Sequence, residues 1–194
     1  MDKLIDAIME KLLSGGFVND DEADIVRFGL ELNIMKIFIS AAMLFAAVLF
    51  GCAPEALVFI AAYPPLRSCC GGYHAKTRTA CFILSMAVMS LVIAAFYFIP
   101  CRALPVTAAA LTGAGVLCII LFAPVDTPTK PFDDTERRVF RRRSLIAALC
   151  AVLLSAALAF FKAYRLMTAA SLAVFFTGIM LAAGIISNRK GALK

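Results

Sequence analysis

The sequence predicts an all-α polytopic membrane protein, six transmembrane helices preceded by an amphipathic interfacial helix, on three observations. Of its 194 residues, 62% are apolar and 16% charged, with a mean hydropathy of +0.91. A soluble domain is about 45–50% apolar and about 25% charged, and one water-soluble core of this length cannot hide the excess. Uncharged stretches of 17 or more residues recur along the chain, and a hydrocarbon core of ~30 Å takes about 20 apolar residues per helix. The third observation is that the short alternating segments of an outer-membrane barrel are missing.

Residues 1–33 read as a cytoplasmic surface element. Leu4, Ile5, Ile8, Met9, Leu12 and Leu13 follow helical spacing, Gly15 and Gly16 end that helix, and Asn19 with Glu22 resembles a capping box for the next. Asp2, Asp6 and Glu10 interrupt any signal-peptide core. The helix is suited either to lying on the membrane surface or to packing under the bundle. Residues 34–194 form the six-span body. Segments 80–99, 103–122, 145–161 and 166–186 lack any charge, and 34–52 carries only Lys36, near its end. The short segment 53–66, with Pro54, Pro64 and Pro65, reads as a sixth span or as a re-entrant element.

Charge decides between these. Six spans with both termini inside leave only Arg102, Lys162 and Arg165 of the 19 basic residues on the outer side, as the retention of Lys and Arg in the cytoplasm requires. The segment 67–81 and the basic loop 123–143 then face inward. Net charge is +6, gathered on that face, so anionic lipid is the expected partner; nucleic acid is not, because no aromatic interleaving accompanies the charge.

Seven cysteines form no disulfide framework. Cys52, Cys101, Cys118 and Cys150 lie in or beside apolar spans and read as small hydrophobes. Cys69, Cys70 and Cys81 flank His74, the chain's single histidine, in a reducing compartment where thiols stay free. Capping by Thr77 or Thr79 would put Cys81 in the first turns of the third span, where the helix N-terminus and Arg78 favour a thiolate. His74, seven residues earlier, is about 10.5 Å away along a continuous helix, so pairing needs a bend, for which Gly71 and Gly72 are suited. The other readings of this segment are a surface histidine beside an incidental thiol, a lipidated Cys69 or Cys70, and a metal site of Cys69, Cys70, His74 and Cys81, for which adjacent cysteines are poor geometry.

At these residues the chain resembles the accessory gene regulator B (AgrB) family, bacterial membrane endopeptidases that mature quorum-sensing peptides. The resemblance rests on Gly-Gly-Tyr-His-Ala at 71–75, Cys81 seven residues after the histidine, Arg67 seven before it and Ser85 four after the cysteine. A second stretch, Phe-Ala-Pro-Val-Asp-Thr-Pro-Thr-Lys-Pro at 122–131, follows the fourth long apolar segment, as a similar stretch does in the family.

The resemblance implies a multi-pass cysteine endopeptidase of the bacterial plasma membrane that removes the acidic C-terminal tail of an AgrD-like precursor. Cys81 is then the nucleophile and His74 the general base. Arg67 and Gly72 match positions important for activity, Ser85 is a supporting position, and Lys76, Arg78 and Lys130 would meet the acidic tail. A Cys81 thioester would pass to a thiol or hydroxyl of the signal segment and close a thiolactone or lactone, with backbone N–H groups at the start of the third span expected to hold the oxyanion. No cofactor and no metal is expected. Segment 123–131 reads as a chain turn or a substrate contact, and Gly113 with Gly115 permits close helix packing, including between two copies. The competing class is a small peptide exporter without covalent chemistry; the absence of mid-membrane ionisable residues weighs against ion-coupled transport.

Overall fold

The structure, a computed structural model, describes residues 2–73, 77–125 and 133–192, and their side chains except at 2–4, 20 and 189–192. Seven α-helices and one 3₁₀ turn are formed among these residues: α1 Asp2–Ser14, the turn Asp20–Glu22, α2 Ala23–Leu49, α3 Ala53–Cys70, α4 Arg78–Phe98, α5 Leu104–Phe122, α6 Asp134–Phe160 and α7 Tyr164–Ala192. They divide into two compact units, Met1–Ala42 and Met43–Lys194.

In the first unit α1 ends where the glycines predict. The amides of Gly15, Gly16 and Phe17 return to the carbonyls of Lys11, Leu13 and Leu12, and Gly16 takes φ +67, a left-handed conformation that costs glycine nothing. Arg27 of α2 pairs with Asp6 of α1 at 2.6 Å. No helix end falls at residue 33: α2 starts at Ala23 and continues into the first apolar span.

In the second unit α7 is the central helix, and α3, α4, α5 and α6 pack against it. Three of its hydroxyls are fully buried yet satisfied: Thr168, Ser171 and Thr177 each donate to the carbonyl four residues back, at 2.8 to 2.9 Å. Thr112 of α5 donates to Ser171 at 2.8 Å. A Cβ on Gly115 would lie 2.7 Å from the Val174 carbonyl, so this glycine is consumed by the close approach of α5 to α7 within one chain. Gly113 has open space around it. Exposed large side chains such as Phe45, Phe98, Val106, Leu153 and Phe160 cover the outside, as lipid-facing helices require.

Among the described residues, five helices, α2, α4, α5, α6 and α7, are long and apolar enough to cross a membrane. The short segment differs from expectation in that α3 runs on through Pro64 and Pro65 to Cys70. At 18 residues it is roughly 27 Å long. Its two ends lie among the same two groups of helix ends as the other elements. At one, Glu55 pairs with Arg165 of α7, whose guanidinium lies 5.3 Å over the Phe96 ring, and the Tyr97 hydroxyl donates to the Phe50 carbonyl. At the other, α3 meets the segment after α5, the start of α6 and the later turns of α7.

The basic loop is corrected as well. Residues 134–143 belong to α6, which starts at a capping box: Asp133 accepts from the Asp134 amide at 2.7 Å, and Glu136 accepts from the Asp133 amide at 3.4 Å. Asp133 and Glu136, three apart before an apolar run, are the sequence signature of that start, and Asp134 and Glu136 suit the positive end of the helix.

Candidate active site

The site is assembled where α3 gives way to α4. The end of α3 is closed by the Gly71 amide, which donates to the Arg67 carbonyl at 3.0 Å. Gly71 and Gly72 then take φ +74 and +111, a region closed to most side chains. This turns the backbone between two neighbours. On one side Val125 donates its amide to the Cys70 carbonyl at 3.1 Å and pairs with Gly71 in a single parallel bridge. On the other, the Tyr73 amide donates to the Met180 carbonyl of α7 at 2.9 Å. A Cβ on Gly72 would lie 2.7 Å from the Met180 carbonyl, and one on Gly184 would lie 2.8 Å from Gly72 and Tyr73. A larger residue at either place would push the loop off α7.

Arg67, half-buried, donates through Nη2 to the Tyr73 carbonyl, the residue before His74. Its Nη1 is buried with no acceptor among the described residues. One turn earlier on α3 lies buried Tyr63. Its ring stacks on Phe59 at 5.0 Å, and Phe59 meets Phe176 of α7 edge-on at 6.3 Å.

Cys81 is half-buried in the first turns of α4. Thr77 is the cap: its Oγ1 accepts from the Ala80 amide at 3.1 Å and its carbonyl from the Cys81 amide at 3.0 Å. The amides of Ala80 and Cys81 are therefore engaged by the cap. Ser85 follows one turn on along the same face of α4, and Arg78, exposed, opens the helix. His74, Lys76, Lys130 and the 126–131 part of the proline-rich stretch lie outside the described residues.

The neighbouring thiols differ from Cys81. Cys70 is fully buried, and burial pushes its thiol, four residues past the predicted span, up to about 11 despite a hydrogen bond with Ser144. Ser144 of α6 also lies 2.9 Å from the Cys69 carbonyl and 2.8 Å from that of Phe140. Arg141, one turn earlier, donates to the carbonyls of Ala123 at 2.6 Å and Ile120 at 2.9 Å. The start of α6 thus ties the ends of α3 and α5 together beneath the Gly71 to Tyr73 loop.

Chemically, this arrangement offers a partly accessible thiol at a helix N-terminus, an arginine whose buried Nη1 has no hydrogen-bond acceptor among the described residues, and a loop, held by α7, that leads to the histidine. Of the residues named from the sequence, the structure places Arg67, Gly72 and Cys81 at this junction; Tyr63, Arg141, Ser144 and Gly184, which the sequence reading did not name, lie on the elements around it. For Tyr63 a signal exists: a hydroxyl four residues before an arginine shares its helix face.

The accessory gene regulator B pattern matches residues 2–181. The chain is 24% identical over 143 residues to an AgrB-like protein of Clostridium perfringens strain SM101, covering 71% of this chain and 67% of that one. It is 26% identical over 136 residues to AgrB-like protein 2 of Clostridium perfringens strain 13, covering 68% and 64%. The second match spans slightly less than two thirds of its relative. No solved structure matches. With the family pattern running from the start of α1 into α7, through the glycine loop and Cys81, the chain belongs to the accessory gene regulator B family.

Proposed function

We propose that this protein is a membrane cysteine endopeptidase that removes the C-terminal tail of an AgrD-type precursor. The observation that carries the reading is the break between α3 and α4. Residues 71–73 are not helical, Arg67 holds the Tyr73 carbonyl, and Cys81 lies just inside the next capped helix. Thr77, the N-cap of α4, is extended at φ −126 and ψ 152, so the straight helix that would keep His74 and Cys81 about 10.5 Å apart does not reach back past residue 78.

In the first transfer the Cys81 thiolate attacks the carbonyl carbon joining signal segment to tail. The new C–S bond pushes the carbonyl π electrons onto oxygen. Collapse of that oxyanion breaks the C–N bond, His74 delivers its proton to the departing amine, and the signal segment is left as a thioester. A thiol or hydroxyl of the segment then gives its proton to His74 and attacks the thioester, closing the ring and freeing Cys81. Thioester exchange is nearly neutral, so acyl activation survives where water is excluded.

Family membership supports an AgrD-type partner. The reading carries six spans, because α3 runs between the same two groups of helix ends as its neighbours, with the active-site end cytoplasmic in a bacterial plasma membrane. Arg78, with Lys76 and Lys130, serves the acidic tail, and anionic lipids meet the basic start of α6.

The test is co-expression with the precursor and detection of the freed tail by mass. Tail release is expected from the wild type and lost in Cys81→Ala and His74→Ala, and a hydroxylamine-sensitive adduct on Cys81 marks the thioester. Release at the wild-type rate by either variant sinks the assignment and favours the exporter.

A further inference from the structure

Between α3 and α6 the bundle holds an open cavity of about 190 Å³. Ala61 and Ala62 of α3 and Ala147 and Ala151 of α6 line it, with Cys150 and Leu154 continuing the α6 wall. We propose that this cavity, with Arg143 at its mouth, binds an acyl chain of an anionic phospholipid whose phosphate is held by that arginine. This rests on the lipid contact in the reading above, gives it a site, and is independent of the peptidase step.

The mouth is fixed by a contact. Ser144 of α6 lies 2.9 Å from the Cys69 carbonyl of α3, so the two helices meet at the end that carries the Gly71 turn, and the cavity lies from there toward their middles. Ser144 is fully buried at this contact, whereas Arg143 beside it is exposed. Arg143 stands one turn before Ala147 and two before Cys150 on the same face of α6. Its guanidinium sits 5.8 Å over the Phe140 ring and makes no hydrogen bond or ion pair among the described residues. Arg141 is committed elsewhere, to the carbonyls of Ala123 and Ile120.

Charge and dimensions together select the occupant. A guanidinium takes a phosphate through two parallel N–H groups, and basic sites between membrane helices collect anionic headgroups. From Arg143 to Leu154 the wall runs about 16 Å along the axis of α6, close to the ~15 Å of hydrocarbon in one leaflet. A chain whose phosphate rests on Arg143 therefore stays against small apolar side chains down to the middle of the bilayer. A peptide helix, about 10 Å across, is too wide to enter a space of this volume. A second copy docked side by side would set its own arginine run against this one.

The experiment places the full chain in phosphatidylcholine nanodiscs with a small fraction of lipid carrying a photoreactive acyl chain, either phosphatidylglycerol or phosphatidylcholine, and maps the adducts by peptide mass. The phosphatidylglycerol probe is expected to label residues 61–66 and 147–154 about fivefold more than the phosphatidylcholine probe. Arg143→Gln is expected to bring that ratio close to one, and Arg142→Gln to leave it unchanged. Ala61→Phe, which fills the cavity from an exposed position of α3, is expected to lower labelling there by both probes; should it fail to accumulate, Ala61→Leu replaces it. Equal labelling by the two probes in the wild type overturns the site and the lipid contact together. A preference lost equally in Arg142→Gln and Arg143→Gln, or labelling that survives filling of the cavity, overturns the site and leaves a general attraction of anionic lipid to the start of α6. None of these outcomes touches the peptidase reading, which release by Cys81→Ala alone would overturn.

Discussion

The guanidinium of Arg67, on the last turn of α3, is bonded to the carbonyl of Tyr73, six residues on and across the glycine turn. A side chain of the helix thereby fixes the backbone leading into His74. Arg67→Gln keeps a donor but loses the charge and the fork. A hydrogen bond to a charged group contributes about 1.5–3 kcal/mol, so tail release is expected to fall about 10- to 100-fold while membrane abundance stays within about twofold, read by mass and by immunoblot. Arg67→Gln at the wild-type rate would refute the assigned role.

The glycines separate by what surrounds them. Gly72→Ala would bring a Cβ within 2.7 Å of the Met180 carbonyl at φ +111, and Gly184→Ala would meet Gly72 at 2.8 Å. Each is expected to cost about 1–3 kcal/mol and to reduce activity. Gly113→Ala, with open space around it, is expected to be neutral or to stabilise α5 by up to about 1 kcal/mol. Thermal unfolding in detergent gives the order, and a Gly113 effect as large as that at Gly72 would contradict it.

Arg141 holds two carbonyls at the end of α5, whereas neighbouring Arg142, exposed like it, makes no such bond among the described residues. Arg141→Ala is expected to lower the melting temperature by several degrees, from about 1–2 kcal/mol of lost charged hydrogen bonding, and to reduce activity through the 123–125 segment that pairs with Gly71. Arg142→Ala is expected to change neither. Equal melting temperatures for the two variants would remove the tether.

Thiol chemistry distinguishes the cysteines by burial. With the Cys70 thiol raised to about 11, roughly one in a thousand is ionised at pH 8, and the side chain is fully buried. Peptide mapping after N-ethylmaleimide at pH 8 is expected to find Cys81 modified well before Cys70. The linkage has a sign. The folded state keeps the Cys70 proton after the unfolded chain, at about 9, has lost it, so this contribution to stability is full below pH 9 and is lost as pH rises toward 11. Cys70→Ala is expected to flatten the alkaline loss of stability in that window.

Far from the site, Glu55 is buried and paired with Arg165, itself 46% exposed. Arg165→Met strands a buried carboxylate and is expected to cost about 1–3 kcal/mol, less than for a fully buried pair because water reaches the arginine. Glu55→Gln with Arg165→Met is expected to recover part of this in a double-mutant cycle of melting temperatures; strict additivity would mean that the pair contributes nothing.

Sequence alone determined what local chemistry dictates. Apolar runs announce membrane helices because lipid demands them, Gly15 and Gly16 end α1, and Thr77 or Thr79 caps α4 before Cys81, the structure selecting Thr77. The family motif singles out Arg67, Gly72 and Cys81 because they cluster within fifteen residues of 67–81. The helical start of the basic loop was also legible, in Asp133 and Glu136, though the proline-rich run before it masks the signal. Tertiary structure alone decided what depends on distant partners. That α3 continues through Pro64 and Pro65 depends on its packing against α6 and α7. The need for glycine at 72 comes from Met180, more than a hundred residues away. The bond from the Tyr73 amide to the Met180 carbonyl joins segments far apart in the chain, and no periodicity along either one contains it. Composition and spacing specify elements and their ends; which side chains share a pocket is decided by how those elements pack.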